Sequence, residues 1–508
     1  MLKVLTSAQM RETDAHTIAS GNISSLELME QAARALTGYF INHFPDKQLP
    51  LMVFCGSGNN GGDGLAIARL LRSEGYSRIN VIVARFSEKS SDDFRANLER
   101  AEDEPFSLVK ITRANEAPAI PENAVLIDAL LGSGLNKPLT GEWAALVRKM
   151  NDSGARIVSV DAPTGFFTEG EIDTSGVLIS ADLVITFQRP KINFFVPESA
   201  PYIKDWQVVD VGLDEHFIQA QDTPFSMIDE KQICHWLKPR QDFEHKGTFG
   251  HAFMVAGQAE TMGAALLSSE ASVLAGAGLT TACIPESGLT ALNARMPEIM
   301  AYIRKAGELI EPKWDKFTAI GIGPGLGTDE PAQHLLHEVL RKVQAPVLLD
   351  ADALNILASE NAWRKRLPQH SVLTPHVKEF DRLFGDHKSW WQRLETGRKE
   401  AQALKSVIVL KNRYTFIFLP DGNTHINLTG NPAMSTGGMG DVLSGIITAL
   451  LAQKYTPEKA AVLGVYLHGK AGDDCAFQRP KHMVLPGEVS RQIPFAMARL
   501  AQKKSDRT

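Results

Sequence analysis

The chain has 508 residues, 44% of them apolar, and a formal net charge of -6 at neutral pH. That length exceeds what one hydrophobic core normally organises, so we expect two or three domains. The acidic balance, with no basic tract longer than "RKR", argues against a nucleic-acid-binding surface and favours small-molecule chemistry.

The cysteines and the apolar runs bear on the cellular compartment. Cys55, Cys234, Cys283 and Cys475 lie far apart and form no C-x-x-C pair, which argues against a zinc site or a disulfide framework. The N-terminal segment is polar throughout, and the longest apolar run, "GIITALLA", is too short to span a bilayer. We therefore expect a soluble, cytoplasmic protein without membrane or nucleic-acid partners.

In the N-terminal half, short apolar runs alternate with helical periodicity. The predicted strands are "LMVFC", "INVIVA", "AVLIDALLG", "RIVSVDAPTG" and "ADLVITF", and the predicted helices include "LAIARLLRSEG" and "EWAALVRKM". This alternation predicts a parallel sheet with helices on both faces, an α/β fold.

The periodicity is lost through "DEHFIQAQDTPFS", which we interpret as a linker near residues 219–224. A second α/β series follows, with predicted strands "HAFMVAG", "LTTACI", "FTAIGIG", "APVLLDADALN" and "SVIVLK". Its helices include "AALLSSEASVLAGAG" and "PAQHLLHEVLRKV". The sequence thus predicts two α/β domains, over residues 1–221 and 222–508.

The glycine-rich stretch "CGSGNNGGDG" has the G-x-G-x-x-G spacing of a dinucleotide-binding turn after a strand. In such folds an acidic residue about 20 residues further on binds the ribose. Here that second strand ends at Arg85, and the side chains of Asn59, Asn60 and Asp63 crowd the turn. The pattern therefore argues against an ordinary nicotinamide cofactor site and indicates additional ligands.

Two aspartates follow neighbouring strands in the predicted sheet. Asp128 in "LIDALLGSG" and Asp161 in "SVDAPTG" each end a strand, on the same edge as Asn60. An oxygen-lined cation site or an acid–base pair could form at this edge. The alternative is that each aspartate caps a turn or the helix that follows it.

The motifs of this half resemble the NAD(P)HX epimerase family, the YjeF N-terminal domain, which implies a Rossmann-like doubly wound sheet. In that family the strand-end edge binds a hydrated nicotinamide nucleotide and a potassium ion. The nucleotide-binding residues that the resemblance implies are Asn59, Asn60, Gly61, Gly62, Asp63, Gly132, Ser133, Gly134, Leu135, Asn136, Lys137, Pro138 and Asp161. It implies potassium ligands at Asn60, Asp128 and Thr164. Asp161 is the candidate catalytic residue, as a base or as a group that only orients the ring.

The stretch "GNPAMSTGGMGDVLSGIITALLA" indicates a different chemistry. Gly437, Gly438 and Gly440 precede an apolar helix, whose N-terminus would form a pocket for a developing anion. Asp441 at the mouth of that pocket would repel a resting phosphate unless it accepts the proton of an attacking hydroxyl. This pairing favours phosphoryl transfer to an alcohol, and the alternative is that Asp441 is a helix N-cap.

This stretch resembles the anion hole of ribokinase-like enzymes. The ordered motifs "HKGTFGHAFMVAG", "GPGLG", "DADALN" and "LTPHVKEF" resemble, more narrowly, ADP- or ATP-dependent NAD(P)HX dehydratase, the YjeF C-terminal domain. The resemblance implies a ribokinase-like α/β/α domain. The hydrate-binding residues that it implies are Gly263, Ala264, Gly327, His376 and Asp441. The nucleotide-binding residues that it implies are Lys411, Asn412, Arg413, Tyr414, Thr415 and Gly440, with ADP as the nucleotide.

The cofactors and assembly follow from the same resemblance. We expect Mg²⁺ with the adenine nucleotide, because phosphoryl transfer normally needs charge neutralisation. Asp350 and Asp352 contribute through water or only cap a turn. We also expect K⁺ in the first domain and a homo-oligomer.

Three functions are compatible with these residues. The first is repair of NADHX and NADPHX, in which the first domain epimerises the hydrate and the second dehydrates one epimer at the expense of ADP. The second is a ribokinase-like kinase of a vitamin precursor fused to a nucleotide sensor. In the third, the N-terminal domain is a scaffold without catalysis.

Overall fold

The computed structural model describes residues 1–135, 137–305, 310–364, 366–478 and 483–505. Its described residues form two structural units. The N-terminal unit comprises Lys3–Thr223 and Ser389–Trp391, and the C-terminal unit comprises Met1–Leu2, Pro224–Lys388 and Gln392–Thr508. The predicted two-domain α/β organisation is confirmed. The assignment of one activity to residues 1–221 and the other to 222–508 stays a prediction.

The N-terminal unit contains a parallel sheet of seven strands in the order β4-β3-β2-β5-β6-β7-β8. The strands are β2 (Leu51–Cys55), β3 (Ile79–Ala84), β4 (Ser107–Ile111), β5 (Val125–Ala129), β6 (Arg156–Val160), β7 (Leu183–Phe187) and β8 (Trp206–Val209). The helices are α1 (Ser7–Gly21), α2 (Ser25–His43), α3 (Asn59–Ser73), α4 (Asp92–Glu102), α5 (Gly141–Asn151) and α6 (Glu215–Ala220).

Both faces of this sheet are covered by apolar packing. Val53 and Phe54 are neighbours on the fully buried strand β2, so they point to opposite faces. Val53 belongs to a cluster with Leu36 of α2, and Phe54 belongs to one with Leu146 of α5. The continuous apolar runs of the sequence follow from this two-sided burial.

The predicted linker is partly helical, because α6 covers part of it. The Asp214 carboxylate accepts hydrogen bonds from the backbone N–H groups of His216 and Phe217, which caps the helix. Ile218 is completely buried and supplies the apolar contact that holds the turn. A helix this short shows no apolar periodicity in the sequence, so the polar composition alone indicated a linker.

The C-terminal unit carries the larger sheet, of eleven strands in the order β1-β9-β18-β17-β16-β15-β14-β13-β10-β11-β12. Its central strands are parallel, and β17 pairs antiparallel with both β16 and β18. The strands are β1 (Leu2–Lys3), β9 (Phe225–Met227), β10 (His251–Val255), β11 (Leu279–Pro285), β12 (Met300–Arg304), β13 (Ala319–Ile322), β14 (Val347–Leu349), β15 (Val372–Leu373), β16 (Val407–Leu410), β17 (Thr415–Phe418) and β18 (Thr424–Asn427).

Helices pack around this sheet, and one of them is apolar on every face. The helices are α7 (Glu230–Ile233), α8 (Met262–Leu274), α9 (Leu289–Arg295), α10 (Glu330–Lys342), α11 (Asp352–Ser359), α12 (Asn361–Arg364), α13 (Val377–Phe384), α14 (Trp390–Leu404), α15 (Met439–Ala452), α16 (Pro457–Gln478) and α17 (Pro486–Ser505). Every residue of α15 from Val442 to Ala452 is buried, and the helix packs against α8 and β13. A helix apolar all round is stable only in such a place.

The composition-based expectations on thiols and membranes can be compared with the structure. All four cysteines are free thiols, and Cys55, Cys234 and Cys283 are buried. Within the described ranges, no helix combines the length and the hydropathy needed to cross a membrane.

Candidate active sites

The glycine-rich turn of the N-terminal unit is set by close backbone packing. A Cβ atom on Gly56 would lie 1.9 Å from the carbonyl oxygen of Leu130, and one on Gly61 would lie 1.9 Å from that of Gly56. These two glycines are therefore required by the fold, whatever the turn binds. Helix α3 follows Gly58 and has no side-chain cap, so its first backbone N–H groups can bind a ligand.

The residues of the predicted potassium site lie at the ends of β5 and β6, neighbouring strands of the sheet. Asp128 is completely buried, and its Oδ2 accepts hydrogen bonds from the Thr164 backbone N–H (2.9 Å) and Ser159 Oγ (2.8 Å). Its Oδ1 accepts one from Thr164 Oγ1 (2.6 Å). Burial raises the pKa of Asp128, and these hydrogen bonds oppose the rise.

Asn60, the third predicted potassium ligand, lies against the next turn. A Cβ atom on Gly132 would lie 3.3 Å from Asn60 Cβ. The buried Nδ2 atom of Asn60 has no hydrogen-bond partner among the described residues. Because the two ends of an amide are assigned from their partners, the reversed orientation would present an unpaired oxygen here. The side chain is therefore compatible with an oxygen ligand to a cation.

Asp161 follows β6 and has an unusual backbone and a one-sided set of partners. Its φ is +62°, a left-handed conformation that is uncommon for a residue other than glycine. Its Oδ1 accepts hydrogen bonds from Lys191 Nζ (2.7 Å), Thr186 Oγ1 (3.0 Å) and the Phe187 backbone N–H (3.2 Å). Sequence reasoning missed Lys191 and Thr186, although both lie at or just after the next strand, β7.

Asp161 is close enough to two further carboxyl groups, those of Asp14 and Asp63, to raise their pKa values. Burial, followed by the Asp161 carboxylate, raises the pKa of Asp14 to about 6, and Lys191 opposes the rise. Burial, followed by Asp161, Asp14 and Asp93, raises the pKa of Asp63 well above its ordinary value. The cluster can therefore hold a proton near neutral pH. Asp14 lies in α1, where no sequence motif marked it.

The predicted nucleotide-binding loop, residues 132–138, lies beside α1. Ser7 Oγ donates a hydrogen bond to the Ser133 carbonyl oxygen (3.0 Å). The Arg11 guanidinium reaches to 3.8 Å from the Cβ position of Gly134. Lys137 is exposed, and Asn136 lies outside the described residues.

In the C-terminal unit, Gly438 is the N-cap of α15, with φ +94°, and Asp441 is the third residue of the helix. The alternative in which Asp441 caps the helix is therefore wrong. Burial, followed by the Asp350 carboxylate, raises the pKa of Asp441 to about 7, while Lys411 lowers it. A carboxyl group in this state can exchange a proton at neutral pH.

Asp350, at the end of β14, connects Lys411 to α15. Its Oδ1 accepts a hydrogen bond from Lys411 Nζ (2.8 Å), and its Oδ2 accepts one from Ser444 Oγ (2.6 Å). Lys411 Nζ lies 3.5 Å from the Cβ position of Gly440. Lys411, predicted to bind the adenine nucleotide, thus lies next to the anion hole. Ser444 was missed, since it reads as one polar residue in an apolar helix.

The predicted hydrate-binding residues lie on several separate elements of the C-terminal unit. Gly327 has φ +78°, and its backbone N–H donates to Asp352 Oδ2 (2.8 Å). Gly263 and Ala264 lie in the first turn of α8, and no atom lies within 4 Å of the Cβ position of Gly263. That open space is compatible with a ligand.

His376 caps a helix and lies close to Lys411, which affects its pKa. Its Nδ1 accepts hydrogen bonds from the backbone N–H groups of Lys378 and Glu379, so it caps α13. Its backbone forms an isolated bridge to Lys411. Burial, and then Lys411, lowers the pKa of His376, which favours the neutral ring.

The other predicted nucleotide-binding residues form the connection between β16 and β17. The Arg413 guanidinium lies 4.7 Å from the centre of the Tyr414 ring. Thr415 Oγ1 donates to the carbonyl oxygen of Asn412 (3.3 Å). Since β17 returns antiparallel to β16, this hairpin lies at the same edge as Lys411.

A cavity of about 610 Å³ opens at the ends of β10 to β13. Its lining includes Gln258, Arg304, Leu326 and Asp329. Gln258 also faces Gly327, where a Cβ atom would lie 2.2 Å from its Nε2. Asp441 is not among the described residues that line the cavity.

The donor sets restrict how a metal ion could be bound. The described part of the chain contains no group of three or more His, Cys, Asp or Glu side chains able to hold a metal ion. Both oxygens of Asp350 are engaged by Lys411 and Ser444. Asp352 accepts from Gly327 and, at 3.4 Å, from Asn355. These hydrogen bonds orient the carboxylates of Asp350 and Asp352 toward Lys411, Ser444 and the Gly327 N–H group.

Comparisons with known proteins identify both units. A family described as "YjeF-related protein N-terminus" matches residues 25–193, and one described as "NAD(P)H-hydrate dehydratase" matches residues 252–495. A bifunctional NAD(P)H-hydrate repair enzyme Nnr from Moorella thermoacetica is 33% identical over 98% of this chain and 97% of its own. The protein of that name from Escherichia coli is 34% identical over 88% of this chain and 84% of its own.

A solved structure covers the C-terminal part. It is the ADP/ATP-dependent NAD(P)H-hydrate dehydratase of Bacillus subtilis, co-crystallised with ATP and Mg²⁺. It is 32% identical, covers 55% of this chain and 100% of its own, and has a TM-score of 0.49.

Proposed function

Because the chain belongs to the family of bifunctional NAD(P)H-hydrate repair enzymes, we propose that it restores NADH and NADPH from their hydrates. Residues 1–221 epimerise the R and S forms of NADHX and NADPHX. Residues 222–508 dehydrate the S form at the expense of ADP. The observation that carries the proposal is that each unit has a carboxyl group able to exchange a proton near neutral pH beside an aspartate that follows a strand, Asp14 with Asp161 in the first unit and Asp441 with Asp350 in the second.

Epimerisation inverts the hydrated ring carbon, which bears a hydroxyl group next to the ring nitrogen. Asp161 takes the hydroxyl proton through its free oxygen as the bond from that carbon to nitrogen opens. A protonated carboxyl of the Asp14–Asp63 pair returns a proton to the nitrogen. Closure on the other face of the carbonyl reverses both transfers and gives the other epimer.

Dehydration needs the hydroxyl group to become a better leaving group. Asp441 takes the hydroxyl proton while the hydroxyl oxygen attacks the terminal phosphoryl group of ADP, held by backbone N–H groups at Gly438 to Gly440. The phosphoanhydride bond breaks and AMP leaves. Phosphate then leaves as the neighbouring ring carbon loses a proton, which restores the double bond. Gly263, Ala264, Gly327 and His376 bind the hydrate.

ADP binds through residues 411–415 and Gly440, with the Lys411 ammonium beside the phosphoryl group. Mg²⁺, when bound, neutralises phosphate charge. It would be held by the nucleotide's phosphates, and Asp350 and Asp352 would contribute through water.

The N-terminal unit offers three oxygen-bearing side chains as candidate potassium ligands. The buried amide of Asn60 lacks a partner among the described residues, and the carboxylate of Asp128 and hydroxyl of Thr164 are joined by a hydrogen bond. These three side chains would hold K⁺, which supplies a positive charge near the hydrate's phosphates. The homo-oligomer and the cytoplasmic location also stay predictions.

One assay tests both activities. The intact chain is incubated with mixed NADHX epimers, Mg²⁺ and ADP or ATP, in potassium or in choline buffer, and NADH is followed by its absorbance. We expect complete recovery of both epimers in potassium with ADP. Recovery of the S form alone, in every buffer, contradicts the epimerase and leaves a scaffold. A stable phosphorylated product without NADH indicates the vitamin-precursor type of kinase.

A further inference from the structure

The carboxylate of Asp161 is held by one of its two oxygens. An ammonium, a hydroxyl and a backbone N–H group all donate to Oδ1, from Lys191, Thr186 and Phe187. Within the described part of the chain, no hydrogen bond reaches Oδ2. A carboxylate held in this way keeps one orientation, in which the two oxygens are not interchangeable.

Lys191 is the charged member of this set and lies out of solvent. Its side chain is 6% exposed, and that of Asp161 is 14% exposed. The ammonium also donates to the Arg189 carbonyl oxygen (3.4 Å). Arg189 is itself fixed by an ion pair with Glu215, at the start of α6. Lys191 therefore cannot turn to a phosphate in solvent without removing the cation that pairs with the Asp161 carboxylate.

The charge of Lys191 matters because the ammonium pairs with the Asp161 carboxylate and also lowers the pKa of Asp14. Asp14 and Asp63 both feel the Asp161 carboxylate, and Lys191 lowers the pKa of Asp14 against that effect. Without the ammonium, only the Thr186 hydroxyl and the Phe187 N–H group would hold Oδ1, and the carboxylate would lose its one charged partner among the described residues. The Asp161 carboxylate would then lie in the site without the fixed orientation that proton transfer needs.

We propose that Lys191 is a positioning residue for epimerisation: with Thr186 and the Phe187 N–H, it fixes Oδ1 of Asp161 so that Oδ2 alone meets the hydroxyl of the hydrate. This inference rests on the proposed epimerase activity. It requires no contact between Lys191 and the substrate, so the maximal rate and the substrate affinity should respond differently.

Lys191→Met tests this inference, because it keeps the length of the side chain and removes the charge. Epimerisation of R-NADHX is measured with ADP and an excess of the Asp161→Asn chain, which supplies dehydratase. We expect kcat to fall roughly 100-fold, the usual effect of a misplaced catalytic group, with KM nearly unchanged. Lys204→Met is the matched control, since Lys204 pairs with Asp182 on the surface of the same unit, and it should leave kcat unchanged.

Two further variants keep the test decisive if Lys191→Met fails to fold. Lys191→Arg retains the charge and should recover part of kcat. Thr186→Val removes one of the donors to Oδ1 and should lower kcat by a smaller factor at constant KM. A rise in KM with kcat unchanged, or parental kinetics in Thr186→Val, overturns the inference. If the parent chain does not epimerise, the proposed function fails before any variant is compared.

Discussion

At the scale of single residues, Asp161 and Asp441 have different electrostatic surroundings. Asp161 directly follows strand β6, and Asp441 lies in the first turn of helix α15. There the helix dipole favours the charge of Asp441, but burial and Asp350 disfavour that charge more strongly. Asp161 is instead paired with Lys191. One unit thus holds a carboxyl poised near neutrality, and the other holds an ion pair within an acid cluster.

Exchanging either aspartate for asparagine should separate the two activities. Asp441→Asn removes the base and keeps the shape, so NADH recovery from S-NADHX should fall about 100- to 10,000-fold. Interconversion of the two epimers, measured by chromatography, should persist. Asp161→Asn should do the reverse, with S-NADHX repaired at the parental rate. Dehydration by Asp441→Asn within a few-fold of the parent would contradict the phosphoryl-transfer mechanism.

The pH dependence of Asp441 gives a second prediction at this scale. Only its ionised form accepts a proton, so the dehydration rate should fall as pH drops below about 7. The contribution of Asp441 to the free energy of unfolding changes in the opposite direction, because it increases as pH drops. The folded pKa lies above the ordinary value of 3.8, so the stabilising effect of the bound proton is present below about pH 4 and lost as pH rises through 7.

Thermal unfolding of the parent chain and Asp441→Asn at several pH values checks this sign. The advantage of the asparagine variant should grow between pH 4 and 7 and level off above, while other titrating groups cancel in the difference. A difference that stays constant with pH would show that Asp441 ionises normally.

At the scale of elements, the turn from β2 into α3 depends on close backbone contact more than on a bound ligand. Gly61 faces the Gly56 carbonyl oxygen at a distance that no Cβ atom can occupy, whereas Gly58 has open space around its Cβ position. Two glycines of one motif therefore have different reasons to be glycine.

Alanine at these two positions should give opposite results. Gly61→Ala should lower the melting temperature of the N-terminal unit and abolish epimerisation, since backbone must move to admit the methyl group. Gly58→Ala has a negative φ of -97° and no clash, so it should retain the parental melting temperature. Calorimetry measures both, and equal destabilisation by the two variants would contradict the packing explanation.

At the scale of the whole molecule, each unit has its own sheet and its own apolar clusters. Domains with separate cores can in principle fold alone. We therefore expect separately expressed chains of residues 1–221 and 222–508 to retain epimerase and dehydratase activity, respectively. The measurement is NADH recovery from mixed NADHX epimers, with each half alone, with both halves together and with the intact chain. Loss of both activities, with the intact chain active at the same concentration, would contradict the assignment of one activity to each half.

The sequence determined the two α/β series and the main strands, because buried parallel strands are continuous apolar runs bounded by glycine and aspartate turns. It also marked Asp128, Asp161 and Asp441, since carboxyl ends of parallel strands and a glycine-rich helix start are local features. The sequence did not determine α6, a six-residue helix that is stabilised by the Asp214 cap and by the burial of Ile218.

Only the tertiary structure decided which side chains meet. Asp14 and Lys191 are 177 positions apart in the printed sequence, yet α1 and the segment after β7 bring both to Asp161. Lys191 donates a hydrogen bond to the Asp161 carboxylate, and that carboxylate raises the pKa of Asp14. Ser444 and Lys411 likewise meet on Asp350 from a helix and a strand end. Contacts of this kind depend on how distant segments pack, and no local spacing or periodicity encodes them.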